Sequence, residues 1–151
     1  MTISQRLREL GIELPPPPKP VGSYAPAVVC GKLLFTSGQL PLVNGVLVKK
    51  GKIPSEVSIP DAQDACRQAV LNALAAISGV VPLDSVARIV RLNVLVNSSA
   101  GFCEQAKIAN GASDLLMDLF GQAGLHSRVA AGAAELPLGS PVELDLIVEL
   151  K

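Results

Sequence analysis

Arg128 stands at the head of a run of small apolar residues, Val129-Ala130-Ala131-Gly132-Ala133-Ala134. A guanidinium in a buried strand is costly unless an anion meets it. Its planar fork fits a carboxylate with two parallel hydrogen bonds. Either a protein acid or a small acidic ligand can therefore answer it. The following segment, Val142 to Leu150, alternates cleanly. Val142, Leu144, Leu146, Val148 and Leu150 point one way; Glu143, Asp145, Ile147 and Glu149 point the other. Leu136-Pro137-Leu138-Gly139-Ser140 reads as the turn of a hairpin joining the two strands. With that turn centred near Leu138, Glu143 faces Ala133 and Arg128 faces Val148, leaving Arg128 and Glu143 roughly 17 Å apart. The arginine is thus expected to lack a partner on its own hairpin. Glu143 is a second candidate for chemistry, because a carboxylate on an otherwise apolar sheet face needs a donor or a water.

Other polar residues offer less. Ser37 has no Ser/His/Asp companion set and is read as a positioning hydroxyl rather than a nucleophile. His126, the single histidine, is unaccompanied as a triad base or metal ligand and is read as a surface-strand residue. Tyr24, the only tyrosine, precedes Ala25-Pro26 and belongs to a loop or strand edge, its ring half-buried and its hydroxyl wet. Asn110 sits inside a helical pattern, where asparagine is mildly disfavoured; its side chain is either solvated or committed to a site. Cys30, Cys66 and Cys103 are far apart and odd in number, with neither disulfide nor metal spacing. Cys66 and Cys103 fall in helical patterns and are read as buried thiols. There is no glycine-rich phosphate loop, dinucleotide fingerprint, CxxC or acid cluster. The expectation is chemistry on a small molecule without a cofactor or metal.

The elements that must position these residues are legible in outline. Thr2-x-x-Gln5 is a capping box for a short helix to Leu10, with Gly11 as its stop. Pro15-Pro16-Pro17-Pro18-Lys19-Pro20 forms a stiff extended arm, and residues 1–21 are set apart from a domain at 22–151. Ala27 to Leu40 is a hairpin turning at Gly31-Lys32. Asn44-Gly45 marks a second hairpin or an irregular loop within Pro41–Ile53. Pro60 to Ser78 is an amphipathic helix ended by Gly79. Ala87 to Val96 is a strand with Val90, Leu92, Val94 and Val96 on one face. Ser98-Ser99 caps a second long helix from about Gly101 to Phe120. The result is a two-layer α+β domain with a mixed sheet and both long helices on one face.

Of 151 residues only 17% are charged, and 13 basic residues balance 13 acidic ones. Zero net charge argues against nucleic acid as a partner. The dense basic spot Lys49-Lys50-Gly51-Lys52 is read as a solvated hairpin or loop. No apolar run reaches membrane-spanning length, and the polar start carries no signal peptide, so no membrane and a cytoplasmic location are expected. So apolar a chain would leave a sheet face exposed as a monomer, which points to a homo-oligomer.

Four segments in order resemble the RidA/YjgF (endoribonuclease L-PSP) family. Gly22-Ser23-Tyr24 is similar to its Gly-Pro-Tyr, and Phe35-Thr36-Ser37-Gly38-Gln39 to its first-strand Thr-Ser-Gly-Gln. Asn110 matches the family's asparagine upstream of the arginine. Arg128 through Glu149 follows its Arg, Leu-Pro turn and Val-Glu-Leu strand. The resemblance covers about Gly22 to the end. It implies a homotrimer with a central barrel and clefts between subunits, and cofactor-free hydrolysis of enamine or imine carboxylates such as 2-aminoacrylate to 2-keto acids and ammonia. By the same resemblance Arg128 holds the substrate carboxylate. Tyr24, Asn110 and Gly38 line the substrate site, while Glu143 and Ser37 join Arg128 in catalysis. A non-catalytic trimer binding small carboxylates is the alternative. A ribonuclease or translation inhibitor, as an older family name suggests, is the weakest reading. The chain departs from the pattern at Ser23, at His126-Ser127 where the family has Pro-Ala, and at Ala130 where many members have Cys. It looks like a divergent branch with an added proline arm.

Overall fold

A computed structural model describes residues 1–20 and 22–151; Val21, the last residue of the expected arm, lies outside them. Helix α1 (Ile3–Glu9) begins with the capping box as expected: Thr2 accepts from the Gln5 amide, and the Gln5 side chain answers the Thr2 amide. The helix is tied down at both ends. The Ser4 amide donates to Asp84 at 2.9 Å, and Arg6 donates to the Asp118 carbonyl at 2.8 Å. Leu7 is buried in the main core, and Ile3, Ile12 and Leu14 pack against it, so this segment is continuous with the domain's interior.

Strands β1 (Ala27–Cys30) and β2 (Leu33–Thr36) form the first hairpin around Gly31, whose φ of 61° suits the two-residue turn. Strands β3 (Leu42–Val43) and β4 (Val46–Leu47) make a second, smaller one. Asn44 and Gly45 both take positive φ there, which is the type I′ geometry that Asn-Gly favours. Helix α2 (Ile59–Ser78) is capped by Ser58, whose hydroxyl accepts from the Asp61 amide. Strand β5 (Val86–Asn97), helix α3 (Gln105–Phe120), strand β6 (Ser127–Ala133) and strand β7 (Val142–Leu150) complete the chain.

The main sheet runs β1-β2-β7-β5-β6, mixed, with β6 parallel to β5. This corrects the expected terminal hairpin. Strands β6 and β7 are not neighbours, because β5 lies between them and hydrogen-bonds both. The Leu-Pro-Leu-Gly-Ser segment does not turn back on itself; it steps over the end of β5. Leu138 and Gly139 bend it with φ of 60° and 74°. Buried Asn97 at the end of β5 holds it from beneath: its amide side chain donates to the Ser140 carbonyl at 3.0 Å. A strand as long and apolar as β5 belongs where both its edges are paired, and this displaces β6 to the rim. Strand β6 is accordingly half-exposed rather than buried.

Two other expectations shift. A register irregularity between Ile89 and Arg91 places Ile89 in the core and leaves Val90 only half-buried. Helix α3 starts at Gln105 and not near Gly101. Ser99 is spent on a hydrogen bond to Ser55, and Gly101, at φ 80°, leaves the helical path.

Helices α2 and α3 cover one sheet face. Leu92, Val94, Val96, Val142, Leu144, Leu146 and Val148 are fully or almost fully buried beneath them. The alternating residues open onto the opposite face, where Val28, Leu33, Phe35 and Val129 are exposed. No helix among the described residues is long and apolar enough to cross a membrane.

The two helices meet at Gly111, where a methyl group would drive into the backbone of Gln63. In an exposed helix, Gly→Ala gains about 1 kcal/mol from propensity. Overpacking against main chain costs about 1–3 kcal/mol and should win. Gly111→Ala is expected to lower the urea midpoint; a midpoint raised by the propensity gain would show that the helices do not approach this closely.

Candidate functional site

Arg128 sits next to fully buried Leu92 in the β5–β6 register, so its side chain leaves the sheet on the helix side. It reaches α3. One terminal nitrogen, Nη1, donates to Asn110 Oδ1 at 2.9 Å and to Ser113 Oγ at 3.0 Å; Nη2 donates to the Ala106 carbonyl at 3.4 Å. Residues 106, 110 and 113 follow the i, i+4, i+7 spacing that lines one helix face. All three acceptors are neutral. Among the described residues no carboxylate lies within ion-pair distance of Arg128. The charge is held in place but not neutralised. Asn110, awkward by helix propensity, is explained by this bond.

His126 is half-buried just before β6, not a surface-strand residue. Its Nε2 lies 3.0 Å from Ser113 Oγ and its Nδ1 2.5 Å from the Gly124 carbonyl. Behind the arginine, on α2, lies Cys66. Burial pushes its thiol up to about 12, against a smaller opposing pull from Arg128, so it stays protonated. Cys103, in contrast to its expected place in a helix, is exposed in the loop before α3, and Cys30 is exposed on β1.

Glu143 lies on the other side of the sheet. It is level with Leu95 of β5 and Ala131 of β6, on the face opposite Arg128. From Arg128 it is three residues along and two strands across, about 10 Å in each direction, with the sheet between them. The expected separation therefore holds, but for a different reason from the hairpin geometry. Desolvation, with Asp145 adding a like charge, holds the Glu143 carboxyl above the usual glutamate range. Asp145 itself accepts from Asn93 at 3.0 Å. Gly38 passes so close to the Glu143 carboxylate that a side chain there would displace the carboxylate from its place. Ser37 donates its hydroxyl to the Ala25 carbonyl at 2.6 Å, pinning the segment that carries Tyr24. Tyr24 is 53% exposed, and its ring lies against Gly22.

The candidate residues thus fall into two groups. Arg128 and Asn110 meet on the helix side. Gly38 and Glu143 meet near the end of β2, with Ser37 and the Tyr24 segment joined to them along the chain. The sheet lies between the two groups within one chain. A groove of about 450 Å³ between the proline arm, the β3–β4 hairpin and α2 contains neither Arg128 nor Glu143. Ser113, Asn93 and Asp145 were not singled out by residue type, and His126 was considered only as an unaccompanied surface-strand histidine. Asp145 shares the alternation of Glu143, and Ser113 lies at i+3 from Asn110, so spacing alone carried a faint signal for both. No group of three or more His, Cys, Asp or Glu residues able to hold a metal ion occurs among the described residues.

The family described as YjgF/chorismate-mutase-like, provisionally endoribonuclease, matches residues 4–150, which takes in all of α1 but its first residue, and the proline arm. The Trypanosoma cruzi protein TCP17 is 41% identical over 98% of this chain and 94% of its own. A 2-iminobutanoate/2-iminopropanoate deaminase of Dermatophagoides farinae is 28% identical over 93% of this chain and 95% of its own. A Shewanella oneidensis crystal structure, provisionally named an endoribonuclease, superposes with a TM-score of 0.94 at 36% identity, covering 99% of this chain and all of that one.

The raised Glu143 carboxyl has a consequence for stability. The folded chain holds this proton more tightly than the unfolded chain does. With respect to this group, stability is greatest in acid and falls as pH rises through the unfolded and then the folded value. Glu143→Gln is therefore expected to raise Tm at pH 8, with the gain closing as pH drops through the carboxylate range. A Tm lowered at pH 8 would mean that the ionised carboxylate is favourably placed.

Proposed function

This chain belongs to the YjgF/chorismate-mutase-like family, and from that membership we propose that it hydrolyses small enamine or imine carboxylates to 2-keto acids and ammonia, without a cofactor. The observation that carries this reading is the Arg128 guanidinium, oriented by three neutral acceptors and left with its charge unanswered. A substrate carboxylate supplies the missing anion through the free part of the fork. The deaminase from Dermatophagoides farinae supports the substrate class.

Imines react readily with water, so the protein has only to orient and to move protons. Water adds to the C=N carbon, giving a carbinolamine. The amine then leaves as ammonia when it takes a proton, and the C=O forms as the hydroxyl loses one. Glu143 is the group for these transfers: ionised it accepts a proton first from the attacking water and later from the carbinolamine hydroxyl, and each time it passes that proton to the nitrogen. Its raised carboxyl brings the two forms closer in population than an ordinary glutamate would. Tyr24 and Ser37 supply further hydrogen bonds, with Gly38 leaving room beside the carboxylate.

Since the sheet separates Arg128 from Glu143 within one chain, the complete site requires a second copy. Three copies closing their open faces on one another would cover Val28, Leu33, Phe35 and Val129 and bring edge strands to subunit boundaries. The small carboxylate then lies in the cleft between chains. A ribonuclease reading gains nothing from a chain of zero net charge.

Keto-acid release can be followed from imines made in place by an amino-acid oxidase. The wild-type protein should accelerate it. Arg128→Ala should lower kcat/KM by about 100-fold, the scale of a lost charge-assisted pair. Glu143→Gln should lower kcat by about 100-fold or more with a smaller change in KM. Keto-acid binding without any acceleration would leave a non-catalytic carboxylate-binding protein, and neither binding nor turnover would remove the reading altogether.

A further inference from the structure

We propose that Ser113 and His126 are positioning residues that hold the Arg128 fork ready for an anion while leaving its charge intact; this rests on the reading that Arg128 receives a carboxylate. For a neutral imidazole, whose Nδ1 faces the accept-only Gly124 carbonyl, the hydrogen bonds permit one arrangement of protons. Arg128 Nη1 can only donate, so Ser113 Oγ accepts from it at 3.0 Å. The serine hydroxyl then directs its own proton to His126 Nε2, 3.0 Å away. That nitrogen must be bare, which places the imidazole proton on Nδ1, aimed at the Gly124 carbonyl at 2.5 Å. Donation runs in one direction from Arg128 to the backbone. The far end is fixed, because Gly124 is buried so tightly against the Leu116 backbone that no Cβ fits.

The chemistry explains why neutral groups do this work. An arginine on an exposed edge strand has many rotamers, and freezing them at the moment of binding costs affinity. A carboxylate partner would freeze them too, but it would compete with the incoming anion. A serine backed by a neutral histidine orients the fork without discharging it.

His126 is the only histidine, so its ring nitrogens give a single, unambiguous signal in nitrogen-15 NMR. Above the imidazole's titration range, the Nδ1–H tautomer is expected, and titrating 2-oxobutanoate into the wild-type protein should shift that signal. Ser113→Ala and His126→Phe should each raise the imine KM and the 2-oxobutanoate Kd about tenfold, with kcat changed by less than about threefold, because the lost binding is common to ground and transition states. His126→Gln, which offers an acceptor oxygen in place of Nε2, should recover most of that loss. The double variant should be no worse than Ser113→Ala alone, since both residues act through one bond. A purely structural role would instead lower the active fraction, reducing apparent kcat at constant KM. An Nε2–H tautomer, or wild-type KM in both single variants while Arg128→Ala abolishes binding, overturns the relay alone. Failure of the wild-type protein to bind or turn over any of these acids would remove the Arg128 reading and the relay with it.

Discussion

A positive charge held by hydrogen bonds but not by an opposite charge is what the site depends on. Neutral acceptors fix the direction of the Arg128 guanidinium, and all three belong to α3. Coulomb attraction toward an outside anion is retained, because a neutral oxygen satisfies a donor without cancelling its field. The fold serves this by placing β6 on the rim of the sheet, where one side chain can reach a covering helix and still face solvent. The closeness of α3 to α2 at Gly111 keeps that helix, and therefore its acceptors, at a fixed height above the sheet.

The sheet that positions Arg128 also divides the chemistry. The arginine projects to the helix side and Glu143 to the open side, and rotation of a side chain cannot carry either through the sheet. Gly38 abuts the Glu143 carboxylate, and Ser37 next to it pins the segment that carries Tyr24. On the proposed reading each chain carries two half-sites of complementary character, an anion receptor and a proton carrier. The exposed apolar residues between them on the open face favour association of copies. Assembly and catalysis would then be one constraint seen twice.

Much of this was readable from residue order. Alternation in Val142–Leu150 gave β7 and its faces, Asn44-Gly45 gave the β3–β4 turn, and Thr2 with Gln5 gave the α1 cap. Local signals of this kind depend on neighbours in the chain. Strand order does not. Leu-Pro-Leu-Gly-Ser carries the same turn residues whether it folds β7 against β6 or lifts it over β5, and only competition for the sheet centre decides. The start of α3 was misplaced for a similar reason: Ser99 has the chemistry of a cap, but a partner 44 residues away, Ser55, takes its hydroxyl. Arg128 and Asn110 were recognisable as candidates, and their contact was not, since it joins a strand to a helix 18 residues earlier. Ser113 and His126 looked ordinary because their meaning lies wholly in that contact.

The central claim is most directly tested by a crystal structure of the protein with 2-oxobutanoate. The account predicts the ligand carboxylate on the Arg128 fork at a boundary between copies, with Glu143 of an adjoining copy facing the carbonyl carbon and Asn110 and Ser113 still bound to the guanidinium. A ligand seated elsewhere with Arg128 bare, or Arg128 paired with a carboxylate of a neighbouring copy in the assembled protein, would contradict it.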